Sequence, residues 1–268
     1  MKGRLYIIAS VVCPLWAACV VTGYAWARFE ESHHFDQTFS VSGRARVSLE
    51  NVNGDVHIEV WDQAEVRVQA EKFAGSQELL DELEIEIKAS RDSVRIDTHY
   101  PDRRFFFGWF PFDRKEHCRV EYTLTVPRNS ELDSIDLVNG DLEVIGVQGG
   151  IEAELVNGDI IAKDLKGDLR LSTVNGSIRP EFEETKDVEF IELESVNGEI
   201  NLVLPSRTSA SVRVETLNGS LRNDFGLEVH KHKYVGADMR GDIGGGDVDI
   251  IIETVNGSIE IRRNDRAD

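Results

Sequence analysis

The stretch that decides the fold is "IEAELVNGDIIAKDLKGDLRLSTVNGSI", residues 151–178. It contains one turn twice, "LVNGDI" at 155–160 and "TVNGSI" at 173–178, with apolar and polar residues alternating around it. An alternation of period two predicts a β-strand with one buried face, and asparagine-glycine predicts a sharp turn. Each unit is therefore expected to place one strand before the turn and one after it.

Seven versions of this turn occur, and their spacing predicts a stack. The turn glycines are at positions 54, 140, 158, 176, 198, 219 and 257, so the successive gaps are 86, 18, 18, 22, 21 and 38 residues. A period near 20 over the second half is typical of a stacked-repeat fold. The alternative, an antiparallel meander, also uses asparagine-glycine turns but gives no reason for the motif to return at the same phase. We expect an all-β, single-stranded parallel β-solenoid (β-helix) of about 18–22-residue coils.

The motif residues have structural roles in such a stack. The asparagines of successive coils should form a column of hydrogen-bonded side-chain amides, running through Asn139, Asn157, Asn175, Asn197 and Asn218. The neighbouring glycines, Gly158 and Gly176 among them, should supply the positive φ of a sharp corner. The predicted structural turn residues are Asn53, Gly54, Asn139, Gly140, Asn157, Gly158, Asn175, Gly176, Asn197, Gly198, Asn218, Gly219, Asn256 and Gly257.

The first residues are typical of an export signal. Lys2 and Arg4 precede an apolar run from 5 to 21, and "AWA" at 25–27 fits a cleavage site. We interpret residues 1–27 as a signal peptide, which places the body of the protein in the periplasm or cell envelope. The alternatives are an uncleaved inner-membrane anchor over residues 5–27 and a lipoprotein box, "WAAC" at 16–19, in which Trp16 replaces the expected small aliphatic residue.

Charge and cysteine content restrict the partners and the covalent chemistry. The chain is acidic, with 30 Lys and Arg against 49 Asp and Glu and a net charge of −19. Such a charge repels polyanions and excludes nucleic acid as a partner. Cys118 is the one cysteine outside the leader. We expect it to be buried and inert, although an exported thiol can also pair between chains.

One segment departs from the repetitive design. "YPDRRFFFGWFPFDRKEHC", residues 100–118, lies between the predicted strands 93–97 and 119–126 and is expected to be an aromatic hairpin. It either caps the open end of the solenoid or docks on a partner or, peripherally, on a membrane. Its candidate interaction residues are Arg103, Arg104, Phe105, Phe106, Phe107, Trp109, Phe110, Phe112, Arg114 and Lys115.

These features divide the chain into four regions. Residues 1–27 are the leader, and residues 28–130 are an N-terminal β region that carries the aromatic loop at 100–118. Residues 131–262 hold the solenoid repeats, and residues 263–268 are a polar tail.

The repeats carry a family resemblance. It is carried by the N-terminal segment that begins "FSVSGRARVSLENVNGDVHIEV", by the series "VNGDI", "VNGSI" and "VNGEI", and by the ending "IGGGDVDIIIETVNGSIEI" (243–261). In these features the chain resembles the bacterial "putative adhesin" family over most of residues 35–262. This is a group of exported β-repeat proteins classed as a domain of unknown function. The resemblance implies a β-solenoid at the cell envelope without an assigned active site, and in some relatives a link to envelope-stress sensing.

Catalytic and metal-binding motifs were sought in the sequence. It contains no nucleophile elbow, phosphate-binding loop or zinc-ligand spacing. "HH" at 33–34 and "HKH" at 230–232 lack a third ligand nearby, and serines interrupt the acidic residues that follow the turns, which disfavours calcium. We therefore expect no metal, no cofactor and no enzyme.

The expected function is a non-enzymatic envelope scaffold or adhesin-like interaction module whose partner is an envelope protein, a lipid or a surface polymer. The alternative is a carbohydrate-active β-helix enzyme acting on a surface polysaccharide with clustered carboxylates.

Overall fold

The structure is a computed structural model that describes residues 31–101, 118–233 and 235–264. In these ranges the chain forms two large sheets and a short helix, α1 (Gln77–Glu82). Sheet A contains β1 (Glu31–Ser40), β3 (Val56–Trp61), β4 (Glu65–Ala74), β7 (Arg119–Pro127), β9 (Leu142–Ile145), β11 (Ile160–Leu165), β13 (Ile178–Phe182), β15 (Ile200–Pro205), β17 (Leu221–Asn223) and β21 (Ile259–Asn264). Sheet B contains β2 (Arg46–Asn53), β5 (Glu84–Ala89), β6 (Ser93–His99), β8 (Glu131–Asn139), β10 (Ile151–Asn157), β12 (Leu169–Asn175), β14 (Phe190–Asn197), β16 (Ala210–Asn218), β18 (Val229–Lys231), β19 (Ala237–Ile243) and β20 (Val248–Asn256).

The middle of both sheets is parallel. Each asparagine-glycine turn ends a strand of sheet B and leads into a strand of sheet A, as β10 leads into β11. β10 pairs in parallel with β8 and β12, and β11 pairs in parallel with β9 and β13. Consecutive strands of a meander would pair antiparallel. The parallel stacking predicted from the repeat phase is therefore confirmed, and the meander is not.

The core lies between the two sheets. In β10, Ile151, Ala153 and Leu155 are at most 4% exposed, while Glu154 between them is exposed. In β11, Ile160 and Ala162 are fully buried. Since successive residues of a strand point to opposite faces, this alternation places one apolar column after another inside the stack. Each buried aliphatic side chain contributes roughly 1.5–3 kcal/mol to folding.

Antiparallel strands close both sheets at one end of the stack and sheet B at the other, whereas sheet A ends there in β17, which pairs in parallel with β21. At the first end, β1 pairs with β4, β4 with β7, and β5 with β6. Helix α1 lies beside β4 and begins at Ser76, whose hydroxyl accepts a hydrogen bond from the Leu79 N–H. At the other end β16 pairs with β19, and β19 with β18. These strands occupy the positions where further parallel coils could add.

The order of the coils departs from the sequence at one place. β20 pairs in parallel with both β14 and β16, so Asn256 lies between Asn197 and Asn218. The predicted column of asparagines is present, and Asn256 is inserted in it between Asn197 and Asn218. The 38-residue gap before Gly257 is not two parallel coils. Part of it forms the antiparallel strands β18 and β19, after which β20 returns between two coils already laid down.

Both sheets run across the predicted boundary between residues 130 and 131. β2 pairs with β8, and β3 pairs with β9, so residues 46–61 supply one coil of the same stack. The division into regions stays a prediction. Within the described ranges there is no helix of the length and hydrophobicity that crossing a membrane would require.

Candidate functional site

The seven asparagines form one continuous ladder. In every rung after Asn53, Nδ2 donates a hydrogen bond to the Oδ1 of the preceding rung, for example from Asn157 to Asn139 and from Asn175 to Asn157, both at 2.9 Å. The rungs follow the order Asn53, Asn139, Asn157, Asn175, Asn197, Asn256 and Asn218, with amide distances of 2.8–2.9 Å throughout. The side-chain amides are thus satisfied within the ladder itself.

The turn glycines are needed for close approach between coils. A Cβ atom at Gly176 would lie 2.6 Å from the carbonyl carbon of Gly158, and one at Gly158 would lie 2.7 Å from that of Gly140, with the carbonyl oxygen nearer still in both cases. Of the seven turn glycines, only Gly54 (φ 117°) and Gly140 (φ 154°) have positive φ. The predicted positive φ at Gly158 and Gly176 is therefore wrong. Glycine is required there because the backbone of the preceding coil occupies the space of a side chain.

The residue after the glycine also bonds to the next coil. The Asp55 carboxylate accepts a hydrogen bond from the Asp141 N–H (2.9 Å), and the Asp141 carboxylate accepts one from the Asp159 N–H (2.8 Å). Partial burial of Asp159 tends to raise its pKa, but hydrogen bonds from Ser177 N–H and Arg179 outweigh this and hold the pKa below its usual range. These carboxylates therefore satisfy backbone N–H groups of the next coil.

The residue before the asparagine points outward and has no such internal role. In every rung it is Val or Leu, and its exposed fraction is 37–54%. We call this column the valine rail; in stack order it consists of Val52, Val138, Val156, Val174, Val196, Val255 and Leu217. With strands about 4.8 Å apart, seven rungs extend over roughly 29 Å. An exposed apolar column of this length is unusual on a charged surface.

A column of carboxylates runs beside the valine rail. Residues two positions apart in a strand share a face, and two positions before each rail residue lies an acidic residue in six of seven rungs. We call this column the acidic rail; in the same order it consists of Glu50, Asp136, Glu154, Ser172, Glu194, Glu253 and Glu215. The sequence contains this column as the repeated pattern Glu-x-Val-Asn-Gly, but no acidic surface was predicted from it.

Three members of the acidic rail have no cationic partner among the described residues. Glu50 is paired with Arg95, and Glu215 with Arg240, each at 2.5 Å. The side chains of Glu154, Glu194 and Glu253 form neither a hydrogen bond nor an ion pair with any residue in the described ranges. Since Glu194 lies directly beside Glu253 and Glu253 beside Glu215, like charges face each other across adjacent rungs, which is unfavourable.

The two rails become a groove near the β16 end of the stack. Its volume is about 750 Å³. Val174, Val196, Val255 and Leu217 are among its lining residues, together with the acidic-rail residues Glu194, Glu253 and Glu215. The turn between β18 and β19 forms a further wall with Val235, which is 59% exposed, and with His232, whose Nε2 lies 2.8 Å from Asp238 Oδ1. The groove thus combines apolar and anionic walls.

A sequence model of the family described as "Toastrack DUF4097", a domain of unknown function, matches residues 134–262. Residues 134–262 are a Toastrack domain. This finding confirms the resemblance drawn from the repeats. The match covers the rungs from Asn139 to Asn256, and therefore most of the valine rail, whereas the rung at Asn53 precedes it. No curated protein matches the chain.

Several solved structures are similar to this chain at low identity. A "putative cell adhesion protein" from Clostridium sporogenes has 13% identity and a TM-score of 0.49, with 87% of this chain and 100% of that chain covered. A "putative adhesin" from Bacteroides fragilis has 11% identity and a TM-score of 0.40, with 85% and 97% covered. A "putative lipid binding protein" from Parabacteroides distasonis has 12% identity and a TM-score of 0.32, with 86% and 96% covered. TM-scores below 0.5 carry no functional information.

The predicted aromatic loop precedes the Toastrack match, and its residues 102–117 lie outside the described residues. Its two ends are described. The Tyr100 hydroxyl donates to Asn51 Oδ1 at 2.7 Å and lies 2.9 Å from the Asn53 carbonyl oxygen, and Asn53 Nδ2 donates to the Cys118 carbonyl at 3.2 Å. Burial raises the pKa of Tyr100 to about 12. The described residues on both sides of this segment therefore lie at the Asn53 end of the ladder.

The remaining candidates lie as follows. Cys118 is buried, as predicted, and forms no disulfide within the described ranges. His33 and His34 lie on strand β1, and His230 Nε2 lies 3.9 Å from Glu228 Oε2. Among the described residues, no group of three or more His, Cys, Asp or Glu side chains has the arrangement of a metal site.

Proposed function

We propose that this protein is a non-enzymatic, adhesin-like interaction module of the cell envelope, and that the outer face of sheet B is its docking surface. The observation that carries the proposal is the valine rail. In a rung such as 156–159, the asparagine, glycine and aspartate all bond or pack against neighbouring coils. The Val156 side chain, in contrast, is 41% exposed and neither bonds to nor packs against the neighbouring coils from the inside. A repeated apolar side chain that the fold leaves in water is typical of an interaction surface.

Export and the class of partner belong to the same proposal. The signal-like residues 1–27 and the family resemblance support a location in the periplasm or cell envelope. The partner is an envelope protein, a lipid or a surface polymer. The link to envelope-stress sensing is supported by the resemblance alone, and in this proposal the bound partner would be the sensed component.

The carbohydrate-active alternative has one observation in its favour. Glu194, Glu253 and Glu215 share the groove wall with Arg240, and a pair of carboxyl groups is what glycoside hydrolysis requires. However, the carboxylates recur along almost the whole acidic rail. An active site needs one local arrangement, whereas a periodic array suits an extended contact. We therefore favour binding over catalysis.

The experiment compares envelope binding and polysaccharide cleavage for the wild type and two variants. The rail variant Val174→Thr/Val196→Thr/Val255→Thr keeps β-branched residues of high strand propensity and removes apolar surface. We expect it to lose binding to washed envelope fractions, and we expect no cleavage by any form. Envelope binding equal to that of the wild type would contradict the docking proposal. Cleavage that Glu194→Gln/Glu253→Gln abolishes would establish the enzyme instead.

We propose a second, peripheral contact through the aromatic loop. The described residues on either side of the loop, Tyr100 and Cys118, bond to Asn53 at the first rung of the ladder, which is one end of the proposed docking surface. Replacement of Phe106, Trp109 and Phe110 by Ser should leave the melting curve unchanged and reduce binding to envelope vesicles. A loss of stability or aggregation would instead identify the loop as an end cap.

A further inference from the structure

We propose that the groove at the β16 end of sheet B binds a basic amphipathic helix of another protein. The proposal rests on the docking surface proposed above and specifies its partner. In this arrangement, apolar side chains of the helix pack on Val174, Val196 and Val255. Lysine or arginine side chains of the helix pair with the acidic rail at Glu194 and Glu253. The partner must therefore carry an apolar row and a cationic row side by side.

The positive charge of the partner follows from the unpaired carboxylates. Glu154, Glu194 and Glu253 have no cation among the described residues, and adjacent rungs repel each other at about 4.8 Å. Three arginines lie on neighbouring strands: Arg170 is bound to Glu192, Arg240 is bound to Glu215, and Arg213 lies opposite Arg240 in the register of β16 and β19. A partner that supplies two or more cations removes the repulsion between carboxylates that the fold leaves uncompensated.

The helical shape follows from the rung spacing. The rails run along the stack axis with a repeat of about 4.8 Å. A helix lying along that axis presents one side chain per turn at about 5.4 Å, whereas an extended strand presents one per about 6.8 Å on the same face. Over the four rungs of the groove floor, the helix falls out of step by only about 2 Å and the strand by about 6 Å. The turn at Val235 then covers one side of the bound helix.

The experiment uses the full-length protein and three 18-residue peptides with blocked termini. The first peptide is a Lys/Leu amphipathic helix, the second has Glu in place of Lys, and the third has Ser in place of Leu. We expect the Lys/Leu peptide alone to bind in fluorescence anisotropy, with affinity that falls as salt is raised. Glu194→Gln/Glu253→Gln should weaken binding about tenfold. The matched control Glu71→Gln/Glu84→Gln removes two exposed carboxylates at the opposite end of the stack and should bind like the wild type.

A charge swap adds a gain of binding that misfolding cannot mimic. Glu194→Lys/Glu253→Lys should lose the Lys/Leu peptide and bind the Glu/Leu peptide. Equal binding of both peptides by the wild type, or an equal loss in the Glu71/Glu84 control, would overturn the inference. So would binding to phosphatidylcholine vesicles in preference to the peptide. If the rail variant loses envelope binding while no peptide binds, the helix inference fails and the docking proposal stands. If the rail variant keeps envelope binding, the docking proposal itself fails.

Discussion

Replacement of Gly176 by alanine should destabilise the stack strongly although it adds only one methyl group. The new Cβ would lie 2.6 Å from the carbonyl carbon of Gly158 and closer to its oxygen. Both obstructing atoms belong to the backbone, so no side chain can rotate away, and the two coils must separate locally. Separation weakens the bonds that join them: Thr173 Oγ1 to the Gly158 carbonyl (3.2 Å) and Asn175 Nδ2 to Asn157 Oδ1 (2.9 Å).

The expected cost can be bounded from these contacts. Overpacking in a well-packed interior costs about 1–3 kcal/mol, and each weakened hydrogen bond contributes up to roughly 0.5–1.5 kcal/mol. We expect Gly176→Ala to lower the free energy of unfolding by about 2–4 kcal/mol. Gly75 is the matched control, because a Cβ there has no atom within 4 Å and its φ is not positive. Gly75→Ala should be neutral or stabilise by up to about 1 kcal/mol, since alanine restricts the unfolded chain.

Urea denaturation followed by far-ultraviolet circular dichroism measures both variants. The last rung of the ladder provides an internal comparison. Gly219 packs against Gly257 on one side, and no further rung lies on its other side, so Gly219→Ala should cost less than Gly176→Ala. If Gly176→Ala and Gly75→Ala have the same midpoint, the close-approach explanation of the turn glycines is refuted.

Three further predictions concern the ladder, the tyrosines and the leader. Asn157→Ala removes one rung amide and should cost about 0.5–1.5 kcal/mol, less than Gly176→Ala in the same denaturation assay; an equal or larger cost would contradict the assigned roles. Burial raises the pKa of Tyr100 to about 12 and raises that of Tyr122 as well, so the folded state holds protons that the unfolded state releases near pH 10. The contribution of these two tyrosines to stability should therefore be constant below pH 10 and fall as pH rises from 10 through 12; Tyr100→Phe should make this fall less steep, and an unchanged slope would refute the assignment. N-terminal sequencing of the envelope-fraction protein should begin at Arg28; a full-length species in washed membranes would support the uncleaved anchor.

The parallel stack was predictable because its chemistry is local and repeated. A strand such as 151–155 shows its buried face by alternation, and each coil repeats the same asparagine to extend one ladder. The position of β20 was not predictable from the period. Spacing along the chain counts residues between motifs, whereas the stack order depends on which strands match in register, and β20 matches both β14 and β16.

The role of the glycines and the acidic rail were missed for different reasons. Gly176 has a conformation that other residues could adopt, and only the packed neighbour reveals why a side chain is excluded. Glu194 and Glu253 are far apart in sequence, and their adjacency depends on the unpredicted order of coils. The exposed residue of the motif was visible seven times, but alternation alone does not show how much of a corner valine such as Val196 stays in water.

Site-specific photo-crosslinking in the native envelope tests the docking surface most directly. A benzophenone amino acid at position 196 would project from the valine rail, and one at Lys163, an exposed position on β11 of sheet A, would serve as the control. The account predicts a discrete crosslinked product from position 196, weakened by Glu194→Gln/Glu253→Gln, and none of that mass from position 163. Crosslinks from position 163 with none from position 196 would contradict it.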